Sequence, residues 1–573
     1  MQTSQERTER PVIYQLLPRL YTNYCENPVA NGPIYRNGSG KLNDITPAVL
    51  DHIKSLGTTH VWYTGVIEHA HDADYTRFGI ARNNPHVIKG KAGSPYAITD
   101  YYDIDPDLAE DVPARMREFE KLVERTHRAG MKVIIDFVPN HVAREYHSDA
   151  APAGVRDLGA DDNTDMFFCP SNNFYYIPRQ KFAPQGVNLG EGDDAYIEFP
   201  ARATGNDCFS AFPTVNDWYE TVKLNYGVDP GNGTRHFDPI PDTWHKMLDI
   251  LMFWASKNID GLRCDMVHMV PVEFWHWAIE KVKAKYPQLI FIAEIYDVAL
   301  YRPYIFYGGF DYLYDKVTLY DTLRGIQCGN LSAAQLTSCW QTVEGISGHM
   351  LNFLENHDEQ RYASVQYAGA ADTVLPSLVV SSTINTGAMM IYMGQEIGEP
   401  GADAEGFSGH DGRTTIFDYW SLDTLRRDLD HGACSGDKLT HAEKQLRQEY
   451  ATVLKIINGD AAASHGAFFD LMYVNYHNPQ FNPHRRYAYM RATADETLLI
   501  VVNFGGSDAE DNAVIIPQHA FDCLGTPQRT YMATDLVSGV RRKINLVADS
   551  PICVPLKAHG ASVLRFSHRG TGK

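Results

Sequence analysis

Eight short apolar runs of β type alternate with helical patterns over the first two-thirds of this chain. Such alternation predicts a parallel sheet whose strands are joined by crossover helices, and eight units suffice to close a barrel. The runs are Val12–Leu17, Thr58–Tyr63, Val133–Phe137, Ile259–Asp265, Leu289–Ala293, Phe310–Tyr314, Leu351–Leu354 and Ala388–Tyr392. Between them, Ala48–Leu56 reads as a helix stopped by Gly57. Pro113 opens a longer one, with Met116, Phe119, Leu122 and Val123 at helical spacing and Gly130 as its C-terminal stop. Pro241–Lys257 and His441–Ile457 read as further helices.

The alternation breaks from about Val142 to Arg235, where Gly, Asn, Asp, Pro and aromatics dominate. A stretch that long does not persist as one structureless loop, so it reads as a subdomain inserted after the third strand. From roughly Gly466 the texture changes to short β-type runs, such as Thr497–Asn503 and Ser562–Phe566. These predict a C-terminal antiparallel β-sandwich. The expected organisation is an α/β barrel built from residues 1–141 and 237–462, an insertion at 142–236 and a β-sandwich at 463–573. A length of 573 residues suits two or three domains.

A formal net charge of −20 repels phosphate backbones and anionic membranes, which argues against nucleic-acid and lipid partners. No run approaches the roughly 18 apolar residues of a membrane span. Residues Met1 to Arg10 are polar, without the apolar core of a signal peptide. The chain as it stands reads as cytoplasmic, or as periplasmic or secreted if a leader was removed. Nine cysteines lie without CxxC pairs or metal-finger spacing, so neither zinc nor a disulfide framework is indicated. Cys169 and Cys208 share the inserted region, and the sequence leaves open whether they pair. The aromatic fraction is 12%, with 33 tyrosines, which serves a large core or the stacking of sugar rings equally well.

Four of the predicted strands end in polar chemistry. Asp265 closes Ile259-Asp-Gly-Leu-Arg-Cys-Asp265, Glu294 closes Leu289-Ile-Phe-Ile-Ala-Glu294, and Asp358 follows Leu351-Asn-Phe-Leu-Glu-Asn-His-Asp358. Val133-Ile-Ile-Asp-Phe-Val-Pro-Asn-His141 ends in Asn140 and His141. A lone carboxylate at a strand end is more often a cap or an ion-pair partner. Several together belong at the carboxyl mouth of a parallel barrel, where active sites collect. The order Asp-x-x-x-Asn-His, Gly-x-Arg-x-Asp, strand-Glu and Asn-His-Asp resembles the four conserved regions of the α-amylase family of glycoside hydrolases and transglycosylases. The resemblance runs from about Pro11 to Phe566.

It implies a (β/α)8 TIM barrel and a retaining hydrolase of α-1,4-linked glucans such as maltooligosaccharides or starch. A transglycosylase or isomerising member is the alternative, and a non-catalytic relative is disfavoured because all three carboxylates are present. By resemblance Asp265 is the nucleophile, Glu294 the general acid/base and Asp358 the third carboxylate gripping sugar hydroxyls. Such chemistry asks for a protonated Glu294 with a raised pKa beside an ionised Asp265, which Arg263 on the same strand face can hold. His141 and His357 match the paired histidines that bind the sugar at the cleaved position, rather than buried structural histidines. Tyr96 resembles the tyrosine that stacks on that sugar, with Tyr101 and Tyr102 as competitors. Arg361 resembles an arginine supporting the third carboxylate. His268 and Met269 stand where starch-cleaving endo-amylases usually carry Lys-His, on the leaving-group side. The chemistry implies no cofactor. Asn140 matches a residue that in many members binds a structural Ca²⁺, and no Asp-x-Asp-x-Asp-Gly loop near the first strand supports it. The aromatic clusters of the insertion, Phe167-Phe168, Phe174-Tyr-Tyr176 and Trp218-Tyr219, read as its miniature core rather than as stacking platforms. The partner expected is an α-glucan oligosaccharide or polysaccharide; oligomeric state stays open.

Overall fold

The computed structural model describes residues 9–403 and 409–568. Residues 1–8, part of the N-terminal segment read above for a signal peptide, lie outside it. Eight parallel strands close a barrel: β1 (Val12–Leu16), β2 (His60–Tyr63), β3 (Lys132–Phe137), β4 (Gly261–Cys264), β5 (Ile290–Ala293), β6 (Tyr312–Tyr314), β7 (Met350–Phe353) and β8 (Ala388–Tyr392). Each strand pairs with its sequence neighbours, and β8 returns to β1 with Tyr14 beside Ile391. All eight predicted runs are barrel strands, because each is apolar enough to be buried on both faces. The predicted helices form at Pro47–Lys54, Arg115–Arg128, Asp242–Ala255 and His441–Gly459.

Two excursions leave the barrel at its carboxyl end. After β2 the chain makes a hairpin, Ile67–His69 with Ile98–Ile104. After β3 come short paired segments, His141–Ala143 with Thr221–Lys223 and Tyr176–Ile177 with Ala201–Arg202. Here Phe174, Tyr175 and Tyr176 are buried, and Phe182, Ile177 and Tyr196 form a small apolar cluster of their own. Cys169 and Cys208 are both free thiols.

The C-terminal part is antiparallel, as expected. Six strands run in the order Ala467–Asp470, Arg486–Ala492, Glu496–Asn503, Ala561–Ser567, Arg529–Asp535 and Arg541–Leu546, beside a two-stranded sheet of Ala513–Val514 and Ile552–Cys553. One continuous apolar core runs from the barrel strands into Leu498–Val502 and Val563–Leu564 of this sheet. No helix among the described residues is long and apolar enough to cross a membrane.

Candidate active site

Register brings the carboxylates together. Arg263 lies opposite Asp136 across β4 and β3, and Cys264 lies opposite Ala293 across β4 and β5. Asp265 and Glu294 are each the next residue, and the ladder continues through them: the Asp265 N–H donates to Phe137 O (2.9 Å) and the Glu294 N–H to Cys264 O (3.0 Å). Side chains alternate along a strand, so Arg263 and Asp265 share a face. The fully buried Arg263 guanidinium contacts Asp265 Oδ1 and Glu294 Oε2, both at 2.8 Å, and Asp136 at 3.7 Å. Its Nε donates to Tyr314 Oη (3.1 Å), and the rings of Trp62, Tyr96 and Tyr314 surround it.

Glu294 accepts from the Tyr296 hydroxyl (2.6 Å) and from the Met266 N–H (2.8 Å). Met266 has a left-handed backbone, φ 43, which costs a residue with a Cβ about 1–2 kcal/mol. Its hydrogen bond to Glu294 is what that turn achieves. Asp358 sits on the loop after β7, where Asn356 Oδ1 accepts the N–H groups of Asp358 and Glu359. His357 Nε2 lies 3.1 Å from Asp358 Oδ2 and 2.6 Å from Tyr96 Oη, while Gln15 Nε2 donates to its Nδ1 (2.8 Å). The Tyr96 ring stacks on His357, 5.2 Å between centroids.

Burial and, secondly, Arg263 push His357 far below the usual imidazole range, so it is neutral. Burial, with Lys223 and Lys89, brings His141 down to about 3. Burial and then the charge of Glu294 raise Asp358 to about 7. The central pair differs from the sequence expectation. The carboxyls of Asp265 and Glu294 meet on the one Arg263 guanidinium. Burial and the neighbouring Glu294 charge lift Asp265 well above the carboxylate range. Burial opposes the charge of Glu294 as well, but Arg263, Tyr296 and the Met266 N–H outweigh it and hold Glu294 below its usual value. Arg263 contributes most to the reversal, helped by Tyr296 and the Met266 N–H, donors that the strand pattern does not reveal.

A cavity of about 310 Å³ opens over these groups. Tyr96, His141, Asp265, Glu294 and Asp358 line it. Of the three candidate tyrosines only Tyr96 does so: Tyr101 is buried with its hydroxyl on His141 O (3.2 Å), and Tyr102 packs on Phe253. The insertion adds Trp218, Glu220 and Thr221 to the lining, the loop after β2 adds Lys89, and the loop after β8 adds Phe417. Lys89 and Glu220 pair at 2.9 Å. A larger cavity, about 440 Å³, lies between barrel and C-terminal sheet, and of the three carboxylates none lines it.

Two expected residues go elsewhere. Arg361 is wholly buried on Glu355 (3.1 Å), Thr414 (2.8 Å) and Met393 O (2.8 Å), and supports Glu355 rather than Asp358. The turn at Asn356 directs Asp358 outward, and by Arg361 the chain has folded back into the core. His268 lines an adjoining cavity with Met269, its ring 6.3 Å from that of Tyr296. Asn140 does not fit the calcium role. Its Nδ2 donates to Gly205 O (2.7 Å), and its Oδ1 accepts from the Lys223 ammonium. Sequence reading missed Gln15, Tyr296 and Lys223, of which only Gln15, a lone amide in an apolar strand, carried a signal; it assigned Trp218 to the insertion's core, whereas Trp218 lines the cavity.

The alpha amylase catalytic-domain model matches residues 17–184 and 240–438. The chain is 26% identical over 497 residues to the alpha-amylase MalA of Haloarcula japonica, covering 86% of this chain and 55% of that protein. It is 24% identical over 602 residues to an alpha-amylase of Streptomyces lividans, covering 95% of this chain and 58% of that protein. It thus spans a little over half the length of these relatives. The alpha-amylase of Geobacillus thermoleovorans, solved with acarbose, superposes with a TM-score of 0.63 at 18% identity over 98% of this chain and 99% of that one.

Proposed function

The chain belongs to the alpha-amylase catalytic-domain family, and from that premise we propose that it is a retaining glycoside hydrolase acting on α-1,4-linked glucose oligomers or starch-like glucans. One observation carries the retaining assignment. Asp265 Oδ1 and Glu294 Oε2 each lie 2.8 Å from the one Arg263 guanidinium, which holds the two carboxyls close together. An inverting pair stands about 6.5–9.5 Å apart to admit a water, whereas a retaining pair is close.

In this reading the sugar ring lies on Tyr96, with neutral His141 and His357 at its hydroxyls and Asp358 gripping two of them. Positive charge growing at the anomeric carbon favours ionised Asp265, and the proton for the leaving oxygen is carried by Glu294. Glu294 protonates the departing oxygen while Asp265 attacks, giving a covalent glycosyl ester. Glu294, now a carboxylate, takes the proton of the incoming water, and the ester is released with a second inversion. Arg263 remains paired with both carboxylates throughout, holding them in place without being consumed.

Proton NMR in the opening minutes of maltooligosaccharide hydrolysis tests the reading. The new reducing end should appear first as the α-anomer. Initial β-anomer would remove the covalent role from Asp265. The same time course reports transfer to sugar in place of water, as products longer than the substrate.

A further inference from the structure

Asn140 Oδ1, Asp207 Oδ1 and Met269 O converge from three separate segments on one atom, the Lys223 ammonium nitrogen. Asn140 follows β3, Met269 follows β4 on the loop that bears Asp265, and Asp207 belongs to the insertion. Lys223 itself is 6% exposed and lies on the strand that pairs with His141. The Asp207 contact is 2.7 Å and the Met269 contact 3.2 Å. The Asn140 amide nitrogen is committed to Gly205 O, which turns its oxygen toward the lysine. We propose that Lys223 is the resident cation of this junction, an internal replacement for a structural metal ion that joins the insertion to the two loops framing the site.

The count of donors and acceptors decides between an ammonium and calcium. A lysine has three N–H donors and no acceptor, and three oxygens meet it here. Calcium takes six to eight oxygens at about 2.3–2.6 Å, and this junction supplies three from protein. Charge closes as well: the buried ammonium and the solvent-facing Asp207 carboxylate form a neutral pair, whereas Ca²⁺ on the same oxygens would leave an excess positive charge. The pairing also requires its cation. Removing the ammonium takes the donor from the buried Asn140 oxygen and from the Met269 carbonyl, while the exposed Asp207 carboxylate turns to water. The inference rests on geometry alone and stands whether or not the proposed reaction is correct.

Two measurements test it. On the wild-type chain, thermal unfolding in EDTA and in about 1 mM Ca²⁺ should give the same Tm, and elemental analysis should find no stoichiometric divalent metal. A Tm that falls in EDTA and recovers with calcium would overturn the proposal. Among variants, Lys223→Met keeps the length of the side chain and removes only the charge. Its Tm should fall by about 2–4 °C, and limited proteolysis should open residues 142–236 first. Lys223→Arg, which keeps a cation, should retain most of the stability. Wild-type stability and wild-type proteolysis in Lys223→Met would show that no cation is needed here.

Discussion

At the scale of single residues the site is a set of protons placed by neighbours. Asp265→Asn is nearly isosteric, so the variant should fold and lose at least about 10⁴-fold in kcat; near-wild-type turnover in a clean preparation would exclude Asp265 as nucleophile. Tyr296→Phe deletes the hydroxyl that helps keep Glu294 charged. The general acid should then hold its proton to higher pH, and the alkaline limb of kcat/KM should move up by about half to one unit. An unmoved limb would show that Tyr296 does not set that ionisation. Asp358 couples the site to stability. Its folded-state pKa of about 7 lies above the ordinary carboxylate value, so the group adds stability that is full near pH 4 and lost as pH rises through 7. Asp358→Asn escapes that loss. Its stability advantage over wild type should be absent near pH 4 and reach about 1–2 kcal/mol at pH 8, discounted for a side chain that is 32% exposed. Chemical denaturation at the two pH values checks the sign.

At the scale of elements, turns and caps hold these residues in place. Tyr450 of the helix His441–Gly459 receives a hydrogen bond from Gln395, in the turn just past β8. That helix opens with a capping box in which Thr440 accepts the Glu443 N–H and Glu443 accepts the Thr440 N–H. Thr440→Ala should cost about 1 kcal/mol in urea unfolding without a change in KM. A larger change in activity than in stability would mean the helix does more than brace the turn. The predicted helices and strands were readable because their apolar periodicity is strong. The hairpin after β2 was not, since its strands are polar, Ile98-Thr-Asp-Tyr-Tyr-Asp-Ile104, and pair across a register shift.

At the scale of the whole molecule, barrel and C-terminal sheet share one apolar core. Backbone carbonyls receive two buried arginines at their junction: Arg10 donates to Gly387 O and Ala463 O, both 2.8 Å, and Arg491 donates to Ala462 O (3.0 Å) and Ile384 O (3.2 Å). Thr383 and Tyr489 add a hydroxyl pair at 2.5 Å. The two parts should therefore unfold in one calorimetric transition. Two resolved transitions would show that the sheet melts independently of the barrel.

Sequence alone determined the eight strands, their parallel order and the identity of the three carboxylates, because burial on both strand faces imposes apolar runs and register then places whatever follows each run. It also singled out Tyr96, His141 and His357, which do line or brace the cavity. Only the tertiary structure decided the opposite shifts of Asp265 and Glu294, since Arg263, Tyr296 and the Met266 N–H all reach Glu294. It sent Arg361 to Glu355, because the turn at Asn356, five residues earlier, reverses the chain. It also placed the Lys223 ammonium among Asn140, Asp207 and Met269, residues between 46 and 83 positions apart from it in two of the three pairs. No local pattern announces such a meeting; it exists only once three loops have been brought to one point.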